Sequence, residues 1–523
     1  MIRWYKMGRI GFILMLVLSL AIGSRAAWAK DSAPGAPVEL SILSVNDFHG
    51  ALVEEGKNPG IAKLGKFIKD EKDKNPTGTI ILSAGDMFQG SADSNLLYGK
   101  TVTEAMNEIE FDAIVVGNHE FDWGNDKLMN QIKRSNFPYL GANVIDKRTE
   151  KIANFIKPHI IITKNGISVG IIGIATPETS YKSAPKVVGK YKFMEPAQTV
   201  NKWVKRLRGQ GVEVIVVLSH LGCEVNQETG EIVGEAAELA KSVKGVDLLI
   251  TGHSHQRVMG KVNGIPIIQA GYYGRAVGIC HLVYSPTDRA VVSSMINIAE
   301  LPIPGMVADV ALQQIVGRAQ AEIAPIKNEV LGKNSSELTH NRNELSVLGQ
   351  WSTDIMRSTA GADIAFQNGG GLRTSIPAGT ITVGKMYEVI PFDNTLYVVK
   401  LTGKQVIEIL RYGINNSQIG MVQFSGITVR YNGSLPEEQR VISVQTLDGK
   451  QLDPEKVYKV VTNDFMAAGG DGFITFKAGG NGYDTNIPLR DALTDAVKKE
   501  RVIRFMRDNR FSDEQPSIYI KAA

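Results

Sequence analysis

From Val38 to about Ile298 the chain repeats one pattern: a short, β-branched apolar run, then a stretch whose apolar positions recur at helical spacing. The runs lie at Leu40–Val45, Thr79–Leu82, Ala113–Val116, Val169–Ile174, Val214–Leu218 and Leu248–Thr251. They are mostly apolar and do not alternate cleanly, and separated by helices they predict strands covered on both faces and hence α/β layering. Ile61, Leu64 and Ile68 mark the buried stripe of one intervening helix. Around it, Lys57, Lys63, Lys66, Lys69, Lys72 and Lys74 interleave with Asp70, Glu71 and Asp73, so this segment reads as a solvated helix face. Pro302 and Pro304-Gly305 then break the pattern. A helix follows with Ala308, Ala311, Leu312, Ile315, Ala319 and Ile323 on one face, stopped near Pro325. A second unit begins near Val330, with strands predicted at Asp363–Phe366, Tyr397–Leu401, Gly426–Tyr431 and Tyr458–Thr462 and glycine-rich turns at Gly369–Gly371 and Gly469–Gly472. The expected organisation is a first domain over 36–300, an interdomain helix over 305–327 and a second domain over 330–523.

Length agrees, since 523 residues exceed what one ordinary core encloses. The N-terminus stands apart. Arg3, Lys6 and Arg9 precede an apolar run from Ile10 to about Ile22 and a small-residue end at Ala27-Trp28-Ala29, the pattern of a secretory signal peptide over 1–29. The run is shorter than the roughly twenty residues that span a bilayer, so the expected mature protein is exported (periplasmic, cell-surface or secreted) without stable membrane insertion. Arg3, Lys6, Arg9 and Arg25 account for the whole formal charge of +4, which removes any case for a nucleic acid polymer as partner. Two cysteines, Cys223 and Cys280, exclude a disulfide scaffold.

Five of the predicted strands end in polar clusters: Asn46-Asp47-Phe48-His49, Gly85-Asp86, Gly117-Asn118-His119, Ser219-His220 and Gly252-His253-Ser254-His255. In open α/β sheets ligands gather beyond the carboxyl ends of strands, so these clusters can converge. Only eight histidines occur, and His49, His119, His220, His253 and His255 all sit here beside Asp47, Asp86 and Asn118. A lone strand-end histidine is more often structural, but five coinciding with carboxylates are hard to explain by packing. Imidazole, carboxylate and amide together suit zinc, manganese or another first-row divalent ion. The set is too large for one tetrahedral ion and sufficient for two that share a carboxylate.

These motifs, with Gly117-Asn118-His119-Glu120-Phe121-Asp122 and the downstream Asn368-Gly369-Gly370-Gly371-Leu372-Arg373, resemble the two-domain 5'-nucleotidase and UDP-sugar hydrolase family. The resemblance covers nearly all of the chain beyond the signal segment. It implies a calcineurin-like metallophosphoesterase domain, a two-layered β-sandwich flanked by helices, joined to a second α/β (α+β) domain that binds substrate. It implies two divalent ions (zinc, manganese or cobalt): Asp47, His49 and His255 on one, Asn118, His220 and His253 on the other, and Asp86 bridging them. His119 becomes a catalytic group near the phosphate and Asp122 its orienting partner; the plainer reading of Asp122 is a cap for a helix over Gly124–Arg134. Some bacterial relatives have glutamine where His255 stands.

On the substrate side the resemblance implies Arg373 for the phosphate, Phe424 and Phe465 as two faces of a base sandwich, and Asp471 for the ribose hydroxyls. A guanidinium suits multidentate phosphate contacts, and stacking tolerates any base. The implied activity is hydrolysis of nucleoside 5'-phosphates, with UDP-sugars and 2',3'-cyclic nucleotides as further family substrates, by direct attack of a metal-bound hydroxide on phosphorus. Two alternatives are a thiosulfohydrolase of the same fold, which a base clamp argues against, and an inactive surface-binding protein, which should have lost ligands.

Overall fold

The structure of the chain, a computed structural model, describes residues 35–183, 185–416 and 418–514; the expected signal peptide over 1–29 lies outside them. The strands that build the first domain's core are β1 (Val38–Val45), β2 (Thr79–Ser83), β3 (Ala113–Val115), β4 (Tyr139–Leu140), β5 (His159–Lys164), β6 (Ile167–Ala175), β7 (Val214–His220), β8 (Leu248–Ile250), β9 (Arg257–Val262), β10 (Ile265–Ala270), β11 (Ala276–Ser285) and β12 (Ala290–Glu300). They form two six-stranded sheets, in the orders β12-β11-β1-β2-β3-β4 and β9-β10-β8-β7-β6-β5. The central strands β1 to β4 run parallel, as do β6, β7, β8 and β10. The sheets stack face to face: Leu40 and Ile42 of β1 share one buried cluster with Val169, Ile171 and Val216 of the other sheet. Leu43 and Val45 point the opposite way, onto Ile61, Leu64 and Ile68 of helix α1 (Gly60–Asp73). The central strands are therefore buried on both faces, which explains why their sequences do not alternate between apolar and polar.

The lysine-rich segment is the outer face of α1, where Lys66 pairs with Asp70, Lys69 with Glu108 and Asp309, and Lys72 with Glu110. After β6 comes a one-turn helix, α2 (Thr179–Lys182). The interdomain helix α3 (Val310–Lys327) buries Leu312, Val316, Ala319 and Ile323. It runs two residues past Pro325, to Lys327. A proline this close to a C-terminus removes one bond of the last turn, and the Asn328 amide still bonds the Ala324 carbonyl at 3.0 Å. Gly65 lets α3 approach α1, because a Cβ there would lie 2.1 Å from Leu312 Cδ1.

In the second domain α4 (Val347–Ala360) packs on a five-stranded sheet of β13 (Ile364–Gln367), β14 (Thr395–Thr402), β15 (Gln423–Ser425), β16 (Val457–Asn463) and β17 (Gly480–Pro488), ordered β15-β13-β16-β14-β17. Mixed pairing gives this domain the expected α/β (α+β) character. Cys223 and Cys280 are unpaired and buried. No helix among the described residues is long and apolar enough to cross a membrane.

Candidate active site

The five polar clusters converge at the carboxyl ends of β1, β2, β3, β7 and β8. Ligand atoms of Asp47, His49 and His255 lie within 4.8 Å of one another, as do those of Asp86, His220 and His253. The structure thus gathers the first expected ligand set and joins His220 and His253 of the second to the expected bridge, Asp86. Asp86 Oδ1 also accepts from the His119 amide at 2.9 Å. Asp47, His49, Asp86, His253 and His255 all have positive φ, between 49° and 80°. Non-glycine residues rarely hold that conformation, so five together mark a backbone shaped by the site. Gly117 is needed here, since a Cβ would sit 2.2 Å from Asp86 Oδ1.

Hydrogen bonds outside the cluster fix which ring nitrogen faces in. His49 Nδ1 donates to the Gln89 carbonyl at 2.8 Å and His220 Nδ1 to the Ala84 carbonyl at 2.6 Å. His253 Nε2 lies 2.9 Å from Glu178 Oε2. Each ring therefore turns its other nitrogen, a lone pair in the neutral form, into the cluster. His220 Nε2 meets Asp86 Oδ2 at 3.0 Å, and His49 Nε2 faces His255 Nε2 at 3.1 Å. The buried Asn118 Oδ1 has no hydrogen-bond partner. Facing lone pairs, carboxylates and an orphaned amide oxygen fit cations, one at each triad, and the donor types fit first-row divalent ions. Burial opposes a charged ring at His220, yet Asp86 and Asp47 push it up to about 10, a sign that the cluster is short of positive charge.

His119 stands beside the triads with Nδ1 2.6 Å from Asp122 Oδ2. Burial disfavours its protonation, but Asp122 and Asp86 outweigh it and push the ring up to about 9. Asp122 does not cap the following helix, whose N-cap is Trp123. Two glutamates, Glu120 buried and Glu178 half-buried, carry roles that the motifs did not announce. Glu120 accepts from the amides of Asp86, Met87 and Gly117 at 3.0, 3.0 and 2.6 Å, clamping two clusters together. Glu178, in the loop after β6, anchors His253, a contact visible only once β6 and β8 share a sheet.

The second domain reaches over this centre. The Arg373 guanidinium lies 5.9 Å from the Phe392 ring centroid, and that ring stacks on His119 at 5.9 Å and 27°. Asp471 is buried, with Oδ2 accepting from Asn368 Nδ2 at 2.8 Å. Phe465 is half-buried and lies over Gly470, where a Cβ would come within 2.5 Å of its ring. Phe424 departs from expectation. It is wholly buried on β15, registered against Phe366 of β13 and edge-on to Phe511 at 6.3 Å, so neither face of its ring is open to a base. The ring that the second domain turns toward the metal cluster is Phe392, half-buried in the loop before β14. Asn394 Nδ2 ties that loop to Asp464, next to Phe465, at 2.8 Å. Arg342 carries a second positive charge within reach of Arg373 and Asp471.

Residues 40–257 match the calcineurin-like phosphoesterase family, and residues 317–478 match the 5'-nucleotidase C-terminal domain. The chain is 30% identical over 531 residues to cell wall protein Lmo0130 of Listeria monocytogenes, covering 89% of this chain and 68% of that protein. It is 31% identical over 471 residues to endonuclease YhcR of Bacillus subtilis, covering 84% of this chain but only 38% of that much longer protein. Among solved structures, a 5'-nucleotidase precursor from Thermus thermophilus superposes with a TM-score of 0.78 at 29% identity, covering 91% of this chain and 99% of that one.

Proposed function

Because the chain belongs to the 5'-nucleotidase family, a calcineurin-like phosphoesterase domain followed by a 5'-nucleotidase C-terminal domain, we propose that it is an exported, metal-dependent hydrolase of nucleoside 5'-phosphates. The observation that carries the reading is the His119–Asp122 pair, set between two triads of candidate ligands and covered by Arg373 and Phe392 of the other domain. When bound, two divalent ions at these triads supply Lewis acidity and acidify the attacking water.

The chain's own residues do the rest. Asp47, His49 and His255 would hold one ion and Asn118, His220 and His253 the other, with Asp86 supplying a further carboxylate. His119, kept charged and oriented by Asp122, turns Nε2 toward the phosphate and offsets negative charge that grows on its oxygens. Arg373 adds a planar, multidentate contact to the same group from the second domain. Phe392, in the loop that Asn394 ties to Asp464, and Phe465, in the one-turn helix Asp464–Ala467, supply the apolar faces for a base, and Asp471 the acceptor for ribose hydroxyls. The groups that touch the nucleoside thus come from the second domain and those that hold the ions from the first.

The test is a panel of nucleoside 5'-phosphates, UDP-glucose and 2',3'-cyclic nucleotides, with phosphate and nucleoside release measured on protein loaded with manganese, cobalt or zinc. Phosphate should be released from AMP-type substrates, cease on chelation and return with two equivalents of metal. Full activity with no bound ion, or with one, refutes the two-ion site; no release from any nucleotide refutes the substrate class.

A further inference from the structure

Two acidic residues flanking the proposed nucleoside pocket each meet a lysine from one short segment of the first domain. Lys186 Nζ lies 3.3 Å from Asp464 Oδ2, and Lys182 Nζ lies 3.5 Å from Asp471 Oδ1. The pairs are not equivalent. Lys186 is 65% exposed, so water and salt screen its pair. Lys182 and Asp471 are 21% and 10% exposed, in the seam between domains.

The geometry at Asp471 leaves a defined job for that lysine. Asn368 Nδ2 occupies Oδ2, and the Tyr412 hydroxyl donates to the Asp471 carbonyl at 2.9 Å, so its own domain fixes the residue's backbone and one oxygen. Asp471 has φ of 52°, in the left-handed region, between Gly470 and Gly472. Lys182 provides the charged partner for the remaining oxygen. It also closes α2, where its amide bonds the Glu178 carbonyl at 2.7 Å, and Glu178 holds the candidate ligand His253. One helical turn therefore has the metal cluster at its start and the ribose-facing carboxylate at its end.

We propose that Lys182 is a positioning residue for nucleoside recognition, which reaches across from the phosphoesterase domain and orients the Asp471 carboxylate toward the ribose hydroxyls. The inference rests on the reading of Asp471 as the ribose contact. It makes sugar recognition a property of both domains: the carboxylate comes from one and its orientation from the other, on the element that also braces His253.

The experiment measures kcat/KM for AMP and for 2',3'-dideoxy-AMP, whose ratio reports the ribose contact. Lys182→Met should lower the ratio about fivefold, mainly through KM for AMP, and Lys182→Arg, which keeps the charge, should retain most of it. In an Asp471→Asn background Lys182→Met should lower the ratio no further, because a residue acting through another is not additive with it. If Asp471→Asn leaves the ratio intact, the ribose reading itself fails. If Asp471→Asn collapses the ratio while Lys182→Met preserves it, Asp471 stands and the role of Lys182 is refuted. Equal losses on both substrates in Lys182→Met, or loss of bound metal, would also refute it by showing an effect through folding or His253.

Discussion

Two phenylalanines 32 positions apart separate pocket from core, and truncating each to alanine should give opposite phenotypes. Phe424 is 0% exposed, packed within the cluster that holds Phe366, Ile427 and Val429. Removing such a ring costs about 3–5 kcal/mol, lost transfer energy plus the cavity left behind. At about 2–4 °C per kcal/mol for a domain of this size, Phe424→Ala should lower the melting of the second domain by roughly 6–20 °C. Phe392 is half-buried in a loop, so its loss should cost little stability. A base stacked on it contributes about 1–3 kcal/mol, so Phe392→Ala should raise KM for AMP about 5- to 150-fold. Calorimetry on both variants, with kcat and KM for AMP and for a small aryl phosphate, reads both effects. At temperatures where Phe424→Ala is folded, its KM for AMP should be near wild type. A Phe424→Ala protein that melts like wild type but loses AMP selectively would refute this assignment and return the base to Phe424. Equal losses on AMP and the aryl phosphate in Phe392→Ala would show that its ring supports His119 rather than a base.

Two further outcomes test the phosphoesterase side. His119→Ala should keep both metal ions by elemental analysis while kcat falls about 10²- to 10⁴-fold, the span of a positioned proton donor or charge stabiliser; loss of metal would reassign the ring as a ligand. Glu178→Gln should weaken the ion held by His253 about 10- to 100-fold in a metal titration, as loss of a carboxylate behind a histidine ligand does, and unchanged affinity would show that this contact does not tune the ligand.

What was legible in the sequence follows from what each residue's role depends on. The metal cluster could be read because strand-end position is a local property: Asp47, Asp86, Asn118, His220 and His253 each follow an apolar run, and parallel strands deliver their carboxyl ends to one edge without further information. The apolar runs of β2 and β7 signal burial on both faces for the same reason. β12, exposed along much of its length at the sheet edge, carries no such signal. Glu178 and Lys182 were silent because their partners, His253 and Asp471, lie 75 and 289 positions away and meet them only in the assembled fold.

The misplaced phenylalanine shows the same limit from the other side. Phe424 lies within β15 and Phe392 a few residues before β14, and nothing in their neighbours tells which ring the fold turns inward. Register decides it. Phe366 opposes Phe424 across β13 and β15, placing Phe424 beneath the sheet, whereas Phe392 precedes β14 in a loop and meets His119 of the other domain. Residue type and motif therefore located the chemistry that strand ends carry, while the walls of the pocket, built by loops from two domains, depend on packing that no local pattern encodes.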